Sequence, residues 1–316
     1  KGDEDLYNYI LDWMADAIQN PNKRPGVALA IRGKQGVGKG IFVNVFASLF
    51  GPHTMHVTQS SHLVGNFNAH LKDKLLVFAD EAFWADDKRA EGALKGMVTE
   101  DTIAIEMKGV DVQSSPNFIR LILASNNDWL VPASADQRRF VVIEAGEARM
   151  QDSGYFAAIM EQIENGGREA LMHLLCQRDL TDVNLRKIPK TDALRTQQTL
   201  SLDSVGKWLY SCLYTGEIED SPNGDRTNWP PSISPSNFHQ AYLRFCKQHS
   251  LSHPFAFNVF GKKLKELLPA ISKIRKGGET REIKYLLPTL EDARSQFEKV
   301  NGWVGMQWED SDGLLL

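Results

Sequence analysis

Four polar residues stand at the ends of apolar runs, and their types suit polyphosphate chemistry. In "IRGKQGVGKGIF" (31–42), Gly33 and the pair Gly38-Lys39 have the G-x-x-x-x-G-K spacing of a phosphate-binding P-loop. Such a loop turns backbone N–H groups toward an anion at a helix N-terminus, where the helix dipole adds to them. Gly33, Gly36, Val37, Gly38, Gly40 and Ile41 would supply that backbone, and Lys39 would reach the β- and γ-phosphates. The position that normally carries a hydroxyl for Mg²⁺ is Gly40. Mg²⁺ keeps several waters and needs few protein ligands, so a water can stand in for that hydroxyl. The site reads as active with an altered metal shell.

The second element is "LLVFADEA", in which Asp80 and Glu81 follow an apolar strand. Asp80 suits Mg²⁺, and the adjacent Glu81 suits activation of an attacking water. The third is "LILASNN", where Asn126 ends another apolar strand and could orient that water and touch the γ-phosphate. The fourth is "DQRRF", with Arg138 and Arg139 just before a strand. An arginine finger stabilises charge on the transferred phosphoryl group, often from a neighbouring subunit.

Short strands and amphipathic helices must position these groups. "VALAIR" (27–32), "KLLVFADEA" (74–82), "NFIRLILASNN" and "RRFVVIEA" read as buried strands, and "KGIFVNVFASLFG" as the helix after the loop. Residues 5–19 carry apolar positions at helical spacing, and 86–100 read as a further helix. "DTIAIEMKGVDVQ" reads as a hairpin turning at Lys108-Gly109. Helices follow residue 150, in "GYFAAIMEQIENGG" and "REALMHLLCQRD". The expected organisation is an N-terminal helical segment (1–25), a P-loop core (26–150) and a helical segment (151–216). A Pro- and Ser-rich linker or long loop (217–237), a winged-helix-like domain (238–300) and a tail (301–316) come after it. Two helices followed by two strands around Gly277-Gly278 carry the winged-helix expectation.

Composition narrows the class. Hydrophobic residues at 42% permit a sizeable core. Cys176, Cys212 and Cys246 have no C-x-x-C spacing, so neither a disulfide framework nor a zinc site is expected, and a cytoplasmic setting is. No apolar run reaches the roughly 18 residues of a membrane span. His53, His56 and His62 lack carboxylate or cysteine partners at metal-binding spacing. The formal net charge is −4, but residues 261–284 hold eight basic and three acidic residues. That local reversal points to nucleic-acid contact through residues such as Lys262, Lys263, Lys273, Arg275 and Lys276. Phe255, Phe257 and Phe260, at near-helical spacing, read as core rather than as stacking platforms.

The order "GKQGVGKG", "LLVFADEA", hairpin, "LILASNN", "DQRRF" resembles superfamily 3 helicases of the AAA+ class, and most closely the helicase part of phage and plasmid primase-helicases. The resemblance covers roughly residues 5 to 300 and is strongest from 27 to 145. It implies an α/β AAA+ ATPase with helical flanking segments, using ATP and Mg²⁺. It also implies a homohexameric ring that translocates on single-stranded DNA at a replication fork, in the cytoplasm of a host cell. Lys39 then matches the phosphate lysine, Asp80 the metal carboxylate, Glu81 the catalytic base, Asn126 the sensor, and Arg138 or Arg139 the finger in trans. Lys108 matches the tip of the pore hairpin. Family members often carry a primase-polymerase domain upstream, and a start at Lys1 fits its removal. The sequence departs from the family at Gly40 and at Glu106, which puts an acid on the DNA-facing hairpin. Two other classes fit parts of the pattern: a different P-loop motor or kinase, and a DNA-binding regulator with an inactive ATPase core.

Overall fold

A computed structural model describes residues 2–81, 88–128, 130–131, 138–219, 226–276, 282–303, 306 and 308. In the first compact unit, which ends at Gln197, the described elements are α1 (Glu4–Gln19), β1 (Ala28–Arg32), α2 (Lys39–Ala47), β2 (Thr54–Val57), α3 (Ser61–Val64) and β3 (Leu76–Asp80). They continue with α4 (Lys88–Thr99), β4 (Thr102–Met107), β5 (Val110–Pro116), β6 (Arg120–Ser125), β7 (Phe140–Glu144), α5 (Ser153–Gln162) and α6 (Arg168–Gln177). The chain leaves this unit within α7 (Asp192–Leu200).

Five strands form one sheet in the order β2-β3-β6-β1-β7, every pair parallel. Parallel strands need helical crossovers, which cover both faces and explain the near-continuous apolar runs. Leu29, Ile31, Leu76, Phe78, Ile122 and Val141 share one cluster with Trp13 of α1 and with Val43 and Phe46 of α2. The alternate residues Ala28, Ala30, Val77, Ala79, Leu121 and Leu123 are equally buried. Trp13 donates its indole N–H to the Val27 carbonyl at 2.9 Å, tying α1 to the start of β1. The short edge strand β2 has no distinct signal in the sequence. It forms because Thr54–Val57 can pair along β3.

Arg120, at the start of β6, is 2% exposed. Its guanidinium meets the Asp16 carboxylate at 2.8 Å and the carbonyls of Asp16, Asn20 and Lys23 at 2.8 to 3.1 Å. It thereby gathers carbonyls at and beyond the end of α1 and anchors that helix to the sheet.

The second unit runs from Gln198 and holds α8 (Ser204–Thr215), β8 (Glu217–Glu219), β9 (Arg226–Asn228), β10 (Ser232–Ile233), α9 (Pro235–Gln248), α10 (Phe257–Leu267), β11 (Ser272–Lys276), β12 (Glu282–Leu286) and α11 (Leu290–Val300). Its sheet has the order β10-β12-β11, antiparallel throughout. Three expectations change here. Helix α8, expected to extend the helical segment 151–216, instead places Val205, Trp208, Leu209 and Leu213 in the core with Phe238, Tyr242 and Phe260. The stretch 217–237, read as a linker or long loop, contains the paired strands β8 and β9 and the edge strand β10. The expected tail from 301 contributes Trp303 and Trp308 to the same core, Trp308 donating to Glu298 at 2.7 Å. Phe260 is core and Phe255 packs against it, whereas Phe257, first residue of α10, is 46% exposed. The turn expected at Gly277-Gly278 lies outside the described residues.

Substituting Arg120→Met would leave Asp16 and several carbonyls without their partner. We expect unfolding free energy to fall by about 3 to 5 kcal/mol, read as a lower urea midpoint with an unchanged slope.

Candidate functional site

The glycine loop leaves β1 after Arg32 and enters α2 at Lys39. Gly36 and Gly38 have φ of +82° and +93°, backbone that a side chain strains. Close packing also demands glycine. A Cβ on Gly36 would stand 2.9 Å from the Gln151 side chain, and one on Gly38 would stand 2.6 Å from the Phe156 ring. The loop is tied down by Gly33 N–H to the Ser125 carbonyl (3.1 Å) and by Gln151 N–H to the Gly36 carbonyl (2.9 Å). Gly38 caps α2 without any side-chain hydrogen bond, so the first-turn N–H groups remain available to an anion. Lys39 folds back to donate to the Gly33 and Lys34 carbonyls at 2.5 and 3.1 Å. Gly40 differs from its neighbours. It lies in the helix, without positive φ, and a Cβ there would meet nothing within 4 Å.

Strand register brings the acids to this loop. Asp80 pairs with Ala124, and Arg32 with Ser125, so β3, β6 and β1 end level at the carboxyl edge of the sheet. That edge is where open α/β sheets bind ligands. Glu81 follows with φ +52°, a strained value for a non-glycine residue. Its carboxylate accepts the Ser125 hydroxyl at 2.5 Å and the Asn126 N–H at 2.7 Å. Asp80 lies 3.7 Å from His56 Nε2, and the His56 ring stacks on Phe78 at 4.7 Å. Gly36, Val37, Gly38, Lys39, Gly40, Ile41, Asp80, Glu81 and Asn126 thus share one cleft of about 560 Å³.

Four contributors escaped the sequence. Ser125 sits one residue before Asn126 and could have been suspected. Gln151, Phe156 and His56 reach the site only through the fold. Sequence spacing gave no metal role to the histidines, and among the described residues there is no cluster of three metal-binding side chains.

Arg138 and Arg139 stand apart. They precede β7, at the amino edge of the sheet, so the length of a five-residue strand, about 16 Å, separates them from their own chain's cleft. With Gly26, Thr99 and Arg186 they line a separate cavity of about 400 Å³. The hairpin β4-β5 turns at Lys108-Gly109, leaving Lys108 exposed. Asn68 holds β4 along its length toward the turn, donating to the Ala104 carbonyl and accepting from Glu106 N–H, both at 2.8 Å. In the second unit, Lys262, Lys273 and Arg275 are exposed. Lys263 is not available in the same way, since it pairs with Asp203 and lies 4.7 Å over the Phe255 ring. The Lys276 side chain lies outside the described residues.

Fold and cleft together define a mixed α/β protein built on a parallel sheet. The apo structure of the C-terminal region (305–718) of NrS-1 matches it with a TM-score of 0.69 over 90% of this chain and 72% of that one, at 19% identity. An A-form apo structure of that region gives a TM-score of 0.67 at the same coverage of this chain and 71% of its own, also at 19% identity. At such identity the likeness is one of fold. In sequence, the chain is similar to the DNA primase-polymerase of Nitratiruptor phage NrS-1, 30% identical over 160 residues. That match takes in 49% of this chain and 22% of the phage protein, so the chain spans far less than two thirds of this relative. Residues 31–139 match a family of unknown function (DUF5906).

The two loop positions should respond oppositely to substitution. Gly38→Ala forces both left-handed backbone and a ring clash, and should cost about 1 to 3 kcal/mol. Gly40→Ser should change stability by no more than about 0.5 kcal/mol. Thermal melts of the two variants beside the parent chain check both.

Proposed function

We propose that this chain is the ATP-driven motor part of a phage DNA replication protein, a ring-forming helicase of the AAA+ class working in the host cytoplasm beside a primase-polymerase domain. The observation that carries this is the convergence of Lys39, Asp80, Glu81 and Asn126 on one cleft at the carboxyl edge of a parallel sheet. The similarity to a phage DNA primase-polymerase supports the replication setting. No helix among the described residues is long and apolar enough to cross a membrane.

The residues fit ATP with Mg²⁺. Gly36 and Gly38 keep the loop free of side chains, and the uncapped start of α2 offers N–H donors. Bound there, ATP supplies the phosphoryl group and Mg²⁺ the charge that offsets its oxygens. Lys39 turns its ammonium from the loop carbonyls toward the phosphates. Asp80 would hold the cation, which would offset charge on the phosphate oxygens. Glu81 takes the proton of the attacking water, through acceptor sites its carboxylate retains beside Ser125 and Asn126. The Asn126 side chain orients that water.

Arg138 and Arg139 sit at the wrong edge of the sheet to serve their own cleft, which favours a finger in trans and therefore an oligomer, a hexamer by family resemblance. The order α8-β10-α9-α10-β11-β12 in the second unit supports a winged helix, with Lys262, Lys273 and Arg275 facing DNA phosphates and Lys108 placed at the pore hairpin. Gly40 lends no weight to an inactive core, because nothing around it requires or excludes a side chain.

Glu81→Gln should bind ATP yet lower the turnover rate by about 10² to 10⁴. Turnover at the parent rate would remove Glu81 as the base. Chains carrying Arg138→Ala and Arg139→Ala keep a sound loop, while Lys39→Ala chains keep sound arginines. Each alone should lose a factor of about 10³ or more in rate. Mixing them should restore part of the turnover, and no recovery at any ratio would contradict a finger in trans.

A further inference from the structure

A second cavity, of about 630 Å³, opens beside the phosphate cleft in the first unit. Val37, Gly38, Ile41 and Phe156 line both, so the two spaces meet at the start of α2. Its walls come from α1, α2 and α5, including Ile10, Phe42, Tyr155, Phe156 and Ile159. Phe156 packs over Gly38, and its ring stands edge-on to Tyr155, centroids 5.3 Å apart. Flat apolar walls next to a phosphate cradle suit the planar, polarisable base of a nucleotide.

The polar groups on those walls are few. Among the described lining residues, the side chains with an O–H or N–H able to hydrogen-bond are Tyr7, Tyr155 and Arg149. Tyr7 and Tyr155 are 60% and 42% exposed, so neither is a buried polar partner. Arg149 is engaged, bonded to Asp152 at 3.2 Å and lying 5.0 Å over the Tyr155 ring. Among the described residues, no Asn, Gln, Asp, Glu, Ser or Thr lines the cavity to match a base edge. Strong discrimination between ligands of similar shape requires such buried partners, because an apolar wall penalises a changed hydrogen-bond pattern only weakly.

We propose that this cavity takes the purine base of the bound nucleotide and reads it by stacking and apolar contact, with Phe156 as the stacking platform, so that adenine and guanine nucleotides are accepted alike. The proposal rests on the reading of the glycine loop as the phosphate site. The test is equilibrium binding, with Mg²⁺, of ATP, GTP and inorganic tripolyphosphate to the parent chain, to Phe156→Ala and to Phe156→Leu. The parent chain should bind ATP and GTP within about tenfold of each other, and tripolyphosphate more weakly than either. Phe156→Ala should weaken ATP and GTP together, by about five- to 150-fold, and leave tripolyphosphate unchanged. Phe156→Leu, which keeps bulk over Gly38, should fall between.

ATP bound more than about tenfold tighter than GTP would overturn apolar reading. Tripolyphosphate as tight as ATP would overturn the base pocket, and an equal loss of all three ligands in Phe156→Ala would reduce Phe156 to a prop for the loop. If none of the three binds the parent chain, the phosphate site itself fails, a result distinct from the others. The comparison of ATP with GTP uses the parent chain alone and stands whether or not the variants fold.

Discussion

Register between parallel strands sets every distance in the cleft. The ladders β3 to β6 and β6 to β1 bring the carboxyl ends of three strands level, so that Gly33, Glu81 and Asn126 leave the sheet side by side. A slip of one residue in a parallel ladder would turn Asp80 to the other face of the sheet. The loop, the acids and the amide depend on that alignment, and the core beneath them holds it. Trp13 and Arg120 bind α1 across the sheet, and Val43 and Phe46 of α2 fill the same layer. A catalytic constellation supported by buried strands keeps its geometry without relying on mobile loops.

At rest the site is held closed on itself. Lys39 donates to its own loop, and Glu81 is bonded to Ser125 and Asn126 in strained backbone. Each charged group is partnered locally, Lys39 by loop carbonyls and Glu81 by a hydroxyl and an N–H.

The residues legible in the sequence were those at which an apolar strand stops abruptly at a polar group. Asp80, Glu81 and Asn126 are of this kind, Lys39 is marked by the glycine spacing before it, and the structure gathers all four. The hairpin was legible from alternation and from Lys108-Gly109. What stayed hidden depends on approach between distant segments. Nothing local in "DSGYFAA" shows that Phe156 lies over Gly38, nor does "TMHV" show that His56 will meet Asp80. The unit boundary was equally hidden, because α7 and α8 are both amphipathic and only packing decides that α8 joins Phe238 and Phe260. The strands within the Pro- and Ser-rich stretch, read as a linker or long loop, stayed hidden because two- and three-residue strands are too short for any periodic signal.

Phosphate release from ATP by the purified chain, with Mg²⁺ and with or without single-stranded DNA, tests the central claim most directly. A motor built on this cleft should release phosphate slowly alone and several-fold faster when DNA is added. No release above background at saturating ATP, with DNA present and the chain demonstrably folded, would contradict it.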